Sequence, residues 1–201
     1  MVLIWWNSLS DISNILVLYF LQLPVLWLLS FWCEFKKTQK FILNIISMDK
    51  NTILSLTKKW GSHVRVSYGE LLSWSKYTLL YFYPKDNTPG CTLEGQDFTR
   101  LSHDFLSLGI QVVGVSKDNS DSHAAFQSSC GIWLDLIADD GKLVDFFSVM
   151  GEKNMYGKII FGLLRSSFLL DSEGNILKTW KNVRATGHAE KILREVPTIL
   201  E

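Results

Sequence analysis

The chain has 201 residues, with 20 basic and 20 acidic side chains and no net charge, so no basic stripe points to nucleic acid. Its three cysteines, Cys33, Cys91 and Cys130, are far apart and odd in number, and no C-x-x-C occurs. That excludes a zinc ribbon, a disulfide-stapled secreted fold and a dithiol oxidoreductase, and makes a reducing compartment the natural setting. The four histidines, His63, His103, His123 and His188, have no metal-ligand spacing and read as surface residues, so neither a metal nor another cofactor is called for.

Residues 1–47 differ in composition from the rest. Only Asp11 is charged before residue 34, and Trp5, Trp6, Trp27 and Trp32 are half of all the tryptophans. The apolar stretch from Ile12 to Cys33, as a helix, is long enough for a bilayer core at about 1.5 Å per residue. Lys36, Lys37 and Lys40 follow it and no Lys or Arg precedes it, which would leave the following domain facing the cytoplasm. The competing reading makes Met48 the true start and residues 1–47 an over-long beginning. The balance leans to a cytoplasmic domain over residues 48–201, with a membrane anchor through 12–33 as the alternative.

Residues 34–50 read as a linker, and 51–77 as a hairpin or strand pair in which Val64-Arg65-Val66 alternates and Tyr68 to Leu72 forms a short helical turn. Thr78 to Tyr83 is a continuous apolar and aromatic run, suited to a central strand covered on both faces. Pro84 stops it. From Cys91 to Leu108 the positions Leu93, Phe98, Leu101, Phe105 and Leu108 form a helical stripe that Gly109 ends. Ile110 to Val115 is a second buried strand, Asp121 to Cys130 a second helix stopped at Gly131, and Asp139-Asp140-Gly141 a turn into a helix from Lys142 to Met150. Ser166 to Leu170 and Asn175 to Trp180 face each other across a turn containing Gly174, and Gly187 to Glu195 closes the chain as a helix. This order describes an α/β sandwich with parallel central strands and an antiparallel edge.

The chemistry gathers in Pro84-x-x-x-Thr88-x-x-Cys91, with Glu94 three residues on and Arg165 far downstream. A cysteine in the first turn of a helix feels backbone N–H groups that favour thiolate over thiol. A buried, inert cysteine after a Pro-Gly turn is the bland alternative. The two prolines, the threonine and the arginine favour a nucleophile suited to in-line attack on a peroxide O–O bond. Thr88, Arg165 and backbone N–H groups would meet the negative charge that develops on oxygen. Pro84 would shield the sulfur while presenting no N–H, and Glu94 would orient the guanidinium.

The run Phe82-Tyr83-Pro84-Lys85-Asp86-Asn87-Thr88-Pro89-Gly90-Cys91-Thr92 resembles the peroxiredoxins, most closely their bacterioferritin-comigratory (Q-type) branch. Further matches are Gly114-Val115-Ser116-Lys117-Asp118, Ser122-His123-x-x-Phe126, Gly151-Glu152-Lys153-x-Met155-Tyr156-Gly157-Lys158, Arg165 to Asp171 and Gly187-His188-Ala189. The resemblance spans about residues 51–196. It implies a thioredoxin-like fold, a central mixed sheet flanked by helices. It also implies a peroxidase that reduces hydrogen peroxide and organic hydroperoxides and is recycled by thioredoxin or a similar thiol reductant. The expected assembly is a monomer or weak homodimer. Cys91 would be the peroxidatic cysteine, assisted by Thr88, Pro84 and Arg165. A peroxide-responsive redox sensor on the same fold is the alternative.

One departure concerns the resolving cysteine. Many members of this branch carry it five positions after the first, where this chain has Gln96; others carry it on the next helix, where the matching position is Gln127. Cys130 lies three residues further along, on the same helix face, and is the candidate resolving residue. Otherwise an external thiol reduces Cys91 directly. Cys33 reads as inert.

Overall fold

The run Tyr77–Phe82 forms strand β3 and sits near the middle of a mixed sheet. The computed structural model describes residues 48–155 and 158–200; the expectations for the apolar segment 12–33, the linker up to residue 47 and Tyr156-Gly157 lie outside these residues. The other strands of this sheet are β1 (Ile53–Thr57), β2 (His63–Ser67), β4 (Ile110–Ser116), β5 (Asp135–Ala138), β8 (Ser166–Asp171) and β9 (Ile176–Trp180). Their order across the sheet is β2-β1-β5-β4-β3-β8-β9. β3, β4 and β5 run parallel, and antiparallel neighbours flank them on both sides. Helices α1 (Tyr68–Ser73), α2 (Pro89–Arg100), α3 (Ser102–Ser107), α4 (Ser120–Cys130), α5 (Lys142–Phe146), α6 (His188–Glu195) and α7 (Pro197–Leu200) complete the described elements, with β6 (Met150–Met155) and β7 (Lys158–Leu163) as a separate antiparallel ladder. Among the described residues no helix is long and apolar enough to cross a membrane.

Alternation along β3 builds two cores. Leu80 and Phe82 pack with Phe147, Val113 and Phe168 on one face, while Leu79 and Tyr81 pack with Phe98, Phe105 and Ile192 on the other. With both faces covered, a half-polar pattern would leave buried polar groups, which is why the strand reads as a continuous apolar run.

Several expected elements change. The helix from Cys91 to Leu108 is two helices, α2 and α3, broken where Leu101 leaves helical geometry (φ −92°, ψ 6°). The buried face of α2 is Cys91, Glu94, Gly95 and Phe98, whereas Leu93 is 40% exposed. The expected helix 142–150 ends at Phe146; Ser148 takes a positive φ of 50° and the chain turns into β6. Neither β5 nor the β6–β7 hairpin was legible as strand, because β5 has four residues and β6 is largely polar with a glycine. The β1–β2 and β8–β9 hairpins form as expected, with Gly174 at φ +87° in the second turn.

Gly114 in β4 marks a close approach within the sheet. A Cβ there would lie 2.6 Å from Leu136 Cδ2 and 2.7 Å from Tyr81 Oη. Gly114→Ala is therefore expected to destabilise the fold by about 1–3 kcal/mol through overpacking, read as a lower urea midpoint at unchanged slope.

Candidate active site

The end of β3 delivers the site. Tyr83 N–H still donates to Val115 O at 3.1 Å, and Pro84 then breaks the ladder. Asn87 takes a positive φ of 56°, and Thr88 caps α2 in extended conformation with Pro89 at the first helical position. The helix thus starts two residues before Cys91, which occupies its first turn. Gly90 and Cys91 precede the first helical bond in this turn, Thr92 N–H to Thr88 O at 2.9 Å, so their amides fall among those a helix start leaves without internal partners.

Cys91 is 2% exposed and belongs to the core packed on the Tyr81 face. Arg165, just before β8, donates through Nη2 to Cys91 Sγ at 3.3 Å and through Nη1 to Glu94 Oε2. Burial works against the guanidinium's charge, but Glu94 and then Cys91 outweigh it and hold Arg165 more firmly charged than usual. The guanidinium and the start of α2 thus both set positive charge beside the sulfur. Thr88 points its hydroxyl back into the loop, donating to Lys85 O at 3.0 Å, and Pro84 stands half-buried at the loop entrance.

Cys130 ends α4 and is partly exposed, and both it and the buried Cys91 are free thiols. Its sulfur lies 3.7 Å from Thr92 Oγ1 and 3.7 Å from Asn87 Oδ1, against the loop and helical turn that present Cys91. Gln96 donates to Cys130 O at 2.9 Å. Gln127 points elsewhere: it is buried, with its amide donating to Leu134 O at 2.8 Å and Thr57 O at 3.2 Å. Of positions 127 and 130 on α4, it is therefore Cys130 whose side chain meets the loop that presents Cys91.

Two of the four histidines are not surface residues. His188 is 2% exposed and places Nδ1 2.8 Å from Glu94 Oε1. His123 is fully buried, with Nδ1 2.9 Å from Asp86 Oδ2. Tyr83 Oη donates to Asp86 Oδ1 at 2.8 Å, Ser122 Oγ donates to Asp86 Oδ2 at 2.7 Å, and Asp86 N–H donates to Asp118 Oδ2 at 2.8 Å. This network ties the Pro84–Thr88 loop to α4. The sequence carried a signal for both imidazoles: His123 is three residues from buried Phe126, and His188 four from buried Ile192, so each shares an apolar helix face.

A first-turn cysteine, a largely buried guanidinium on its sulfur and a threonine-bearing loop, set on a mixed sheet flanked by helices, are what a thiol-based peroxidase requires. Comparison with known proteins agrees. The model of the AhpC/TSA family matches residues 49–179. A putative peroxiredoxin Bcp of Helicobacter pylori is 44% identical over 134 residues, 66% of this chain and 87% of that one. Peroxiredoxin Bcp of Bacillus subtilis is 39% identical over 127 residues, covering 63% and 81%. The structure of the Xanthomonas campestris bacterioferritin comigratory protein, studied for its alkyl peroxide reduction, superposes with a TM-score of 0.67 at 36% identity, over 76% of this chain and 94% of that one. The chain belongs to the AhpC/TSA family, in its Bcp or Q-type peroxiredoxin branch, and is a peroxidase that uses peroxides and a thiol reductant.

Burial opposes ionisation of Asp86, but hydrogen bonds from His123, Ser122 and Tyr83 outweigh it and hold the carboxyl below its usual range. A folded value below the unfolded one makes ionised Asp86 stabilising at neutral pH, with that contribution lost as pH falls through the folded value. Asp86→Asn is expected to lower the urea midpoint at neutral pH, and its difference from wild type should shrink below about pH 4.

Proposed function

We propose that Cys91 is the peroxidatic nucleophile and that Arg165, Thr88 and the first-turn amides of α2 hold the peroxide for in-line displacement. The thiolate attacks the terminal oxygen of ROOH. The S–O bond forms as the O–O bond breaks, and both O–O electrons leave on RO⁻, which takes a proton from solvent to become an alcohol or water. Sulfur is oxidised to Cys91–SOH and the peroxide is reduced. The 3.3 Å contact between Arg165 Nη2 and Cys91 Sγ carries this reading, because it sets one fixed cation beside both the nucleophile and the oxygens it attacks.

Thr88, whose hydroxyl proton is engaged by Lys85 O, offers its lone pairs to the peroxide O–H. Pro84 limits water at the sulfur, and Glu94 orients the guanidinium. Cys130 then resolves the cycle: its thiol attacks the sulfenic sulfur, water leaves, and thioredoxin or a similar dithiol reduces the resulting disulfide by exchange. The contacts of Cys130 with Asn87 and Thr92 support this role. The end of α4 must loosen for the step, since a disulfide needs Cα atoms within about 7 Å. The domain over 48–201 is read as a cytoplasmic monomer or weak homodimer, consistent with its free cysteines.

Cys91→Ser is expected to abolish peroxide consumption coupled to a thioredoxin system. Arg165→Ala should slow it about 100- to 1,000-fold, as expected for loss of a fixed transition-state donor. Non-reducing mass spectrometry of peroxide-treated protein should find a Cys91–Cys130 linkage, replaced in Cys130→Ser by a sulfenic acid that dimedone traps. A stable sulfenic acid in the unmodified protein would remove Cys130 from the cycle.

A further inference from the structure

The Glu94 carboxylate is fully buried one helical turn from Cys91, and its two oxygens serve different groups. Oε2 accepts from Arg165 Nη1, while Oε1 faces His188 Nδ1 at 2.8 Å. His188 stands at the start of α6, edge-on to Phe98 with ring centroids 5.8 Å apart. Its Nε2 is buried and finds no hydrogen-bond partner among the described residues, so Glu94 is the polar group that orients this ring. An apolar side chain would suit the same buried face of α6, beside Ala189 and Ile192, at no polar cost.

We propose that His188 is a positioning residue for peroxide reduction, holding through Glu94 the Arg165 guanidinium on the Cys91 sulfur. A carboxylate anchored at one oxygen only can rotate to take both guanidinium edges, because bidentate pairing is the favoured geometry of that ion pair. Rotation of this kind draws Nη2 away from sulfur. Donation from His188 Nδ1 to Oε1 occupies the second oxygen and keeps the pair single-pronged, leaving Nη2 for Cys91. The chain of contacts from imidazole to carboxylate to guanidinium to sulfur thus crosses from α6 through α2 to the start of β8. The inference rests on the reading of Cys91 as nucleophile.

Two amide substitutions separate positioning from packing. In His188→Asn the side-chain N–H sits near the place of Nδ1; in His188→Gln it sits near the place of Nε2. With reduced full-length protein and stopped-flow measurement of hydrogen peroxide consumption, His188→Gln is expected to react about tenfold more slowly, and His188→Asn to stay within about twofold of wild type. In a Glu94→Gln background, His188→Gln should add less than about twofold, because residues acting through one another are not additive. Equal losses in Asn and Gln, full rate in His188→Gln, or additive losses with Glu94→Gln would each overturn the proposal. Cys91→Ser run alongside keeps the two readings apart: retained peroxide consumption there defeats the nucleophile assignment. A slow Arg165→Ala beside an unimpaired His188→Gln defeats only the role of His188.

Discussion

The contact of the Arg165 guanidinium with the Cys91 sulfur, at the edge of an apolar core, is the one on which the rest of the site depends. The guanidinium is itself largely buried, so its cost must be met by groups equally out of water. Glu94 meets it, and Glu94 in turn has His188 at its other oxygen. Burial of each ion is tolerable because the next partner is within hydrogen-bond reach. The arrangement requires α2, α6 and the start of β8 to converge on one point, and the apolar contacts of Phe98, Leu169 and Ile192 in the shared core supply that convergence.

A second buried network performs a different task. Asp86, His123, Tyr83 and Ser122 fasten the loop after β3 to the first half of α4. Burial first, and then the neighbouring Tyr81 and Asp86, push the Tyr83 phenol well above its ordinary range, so it remains a donor. The far end of α4, where Cys130 sits before Gly131 in left-handed geometry, lies outside that clamp and is more exposed. The first half of α4 is therefore held through a buried carboxylate, whereas its last turn is held nearer the surface, by Gln96 on Cys130 O and by the contacts of Cys130 Sγ with Asn87 and Thr92.

Legibility in the sequence followed the range of the interactions. Thr78 to Tyr83 announced a central strand because six consecutive buried positions leave no room for polar residues. Gly109, Gly131 and Gly174 marked ends and turns because each takes a positive φ in the structure. The break at Leu101, the early end of α5 and the strand character of β5 and of the largely polar β6 were not legible, since cross-strand pairing and packing decide them rather than local preference. The spacing places Leu93 in an apolar stripe, yet the helix turns Cys91, Glu94 and Gly95 inward, with Gly95 lying against Ile132. Spacing gave the period of that helix but not its phase.

By itself the sequence singled out the atoms proposed to do the chemistry: a cysteine after Pro-Gly at a helix start, a threonine three residues before it, and a distant arginine. Those choices are local or carried by motif, so they survive without coordinates. Only the tertiary structure decided which groups stand behind them. His123 and His188 lie far along the chain from the carboxylates they contact, and nothing in their flanking residues names the partner. The place of Cys130 is of the same kind. Positions 127 and 130 are three residues apart on α4, a net rotation of about 60°, so which of them meets the loop is settled by how the helix packs on the sheet: Gln127 turns toward Thr57 and Leu134, and Cys130 toward Asn87 and Thr92.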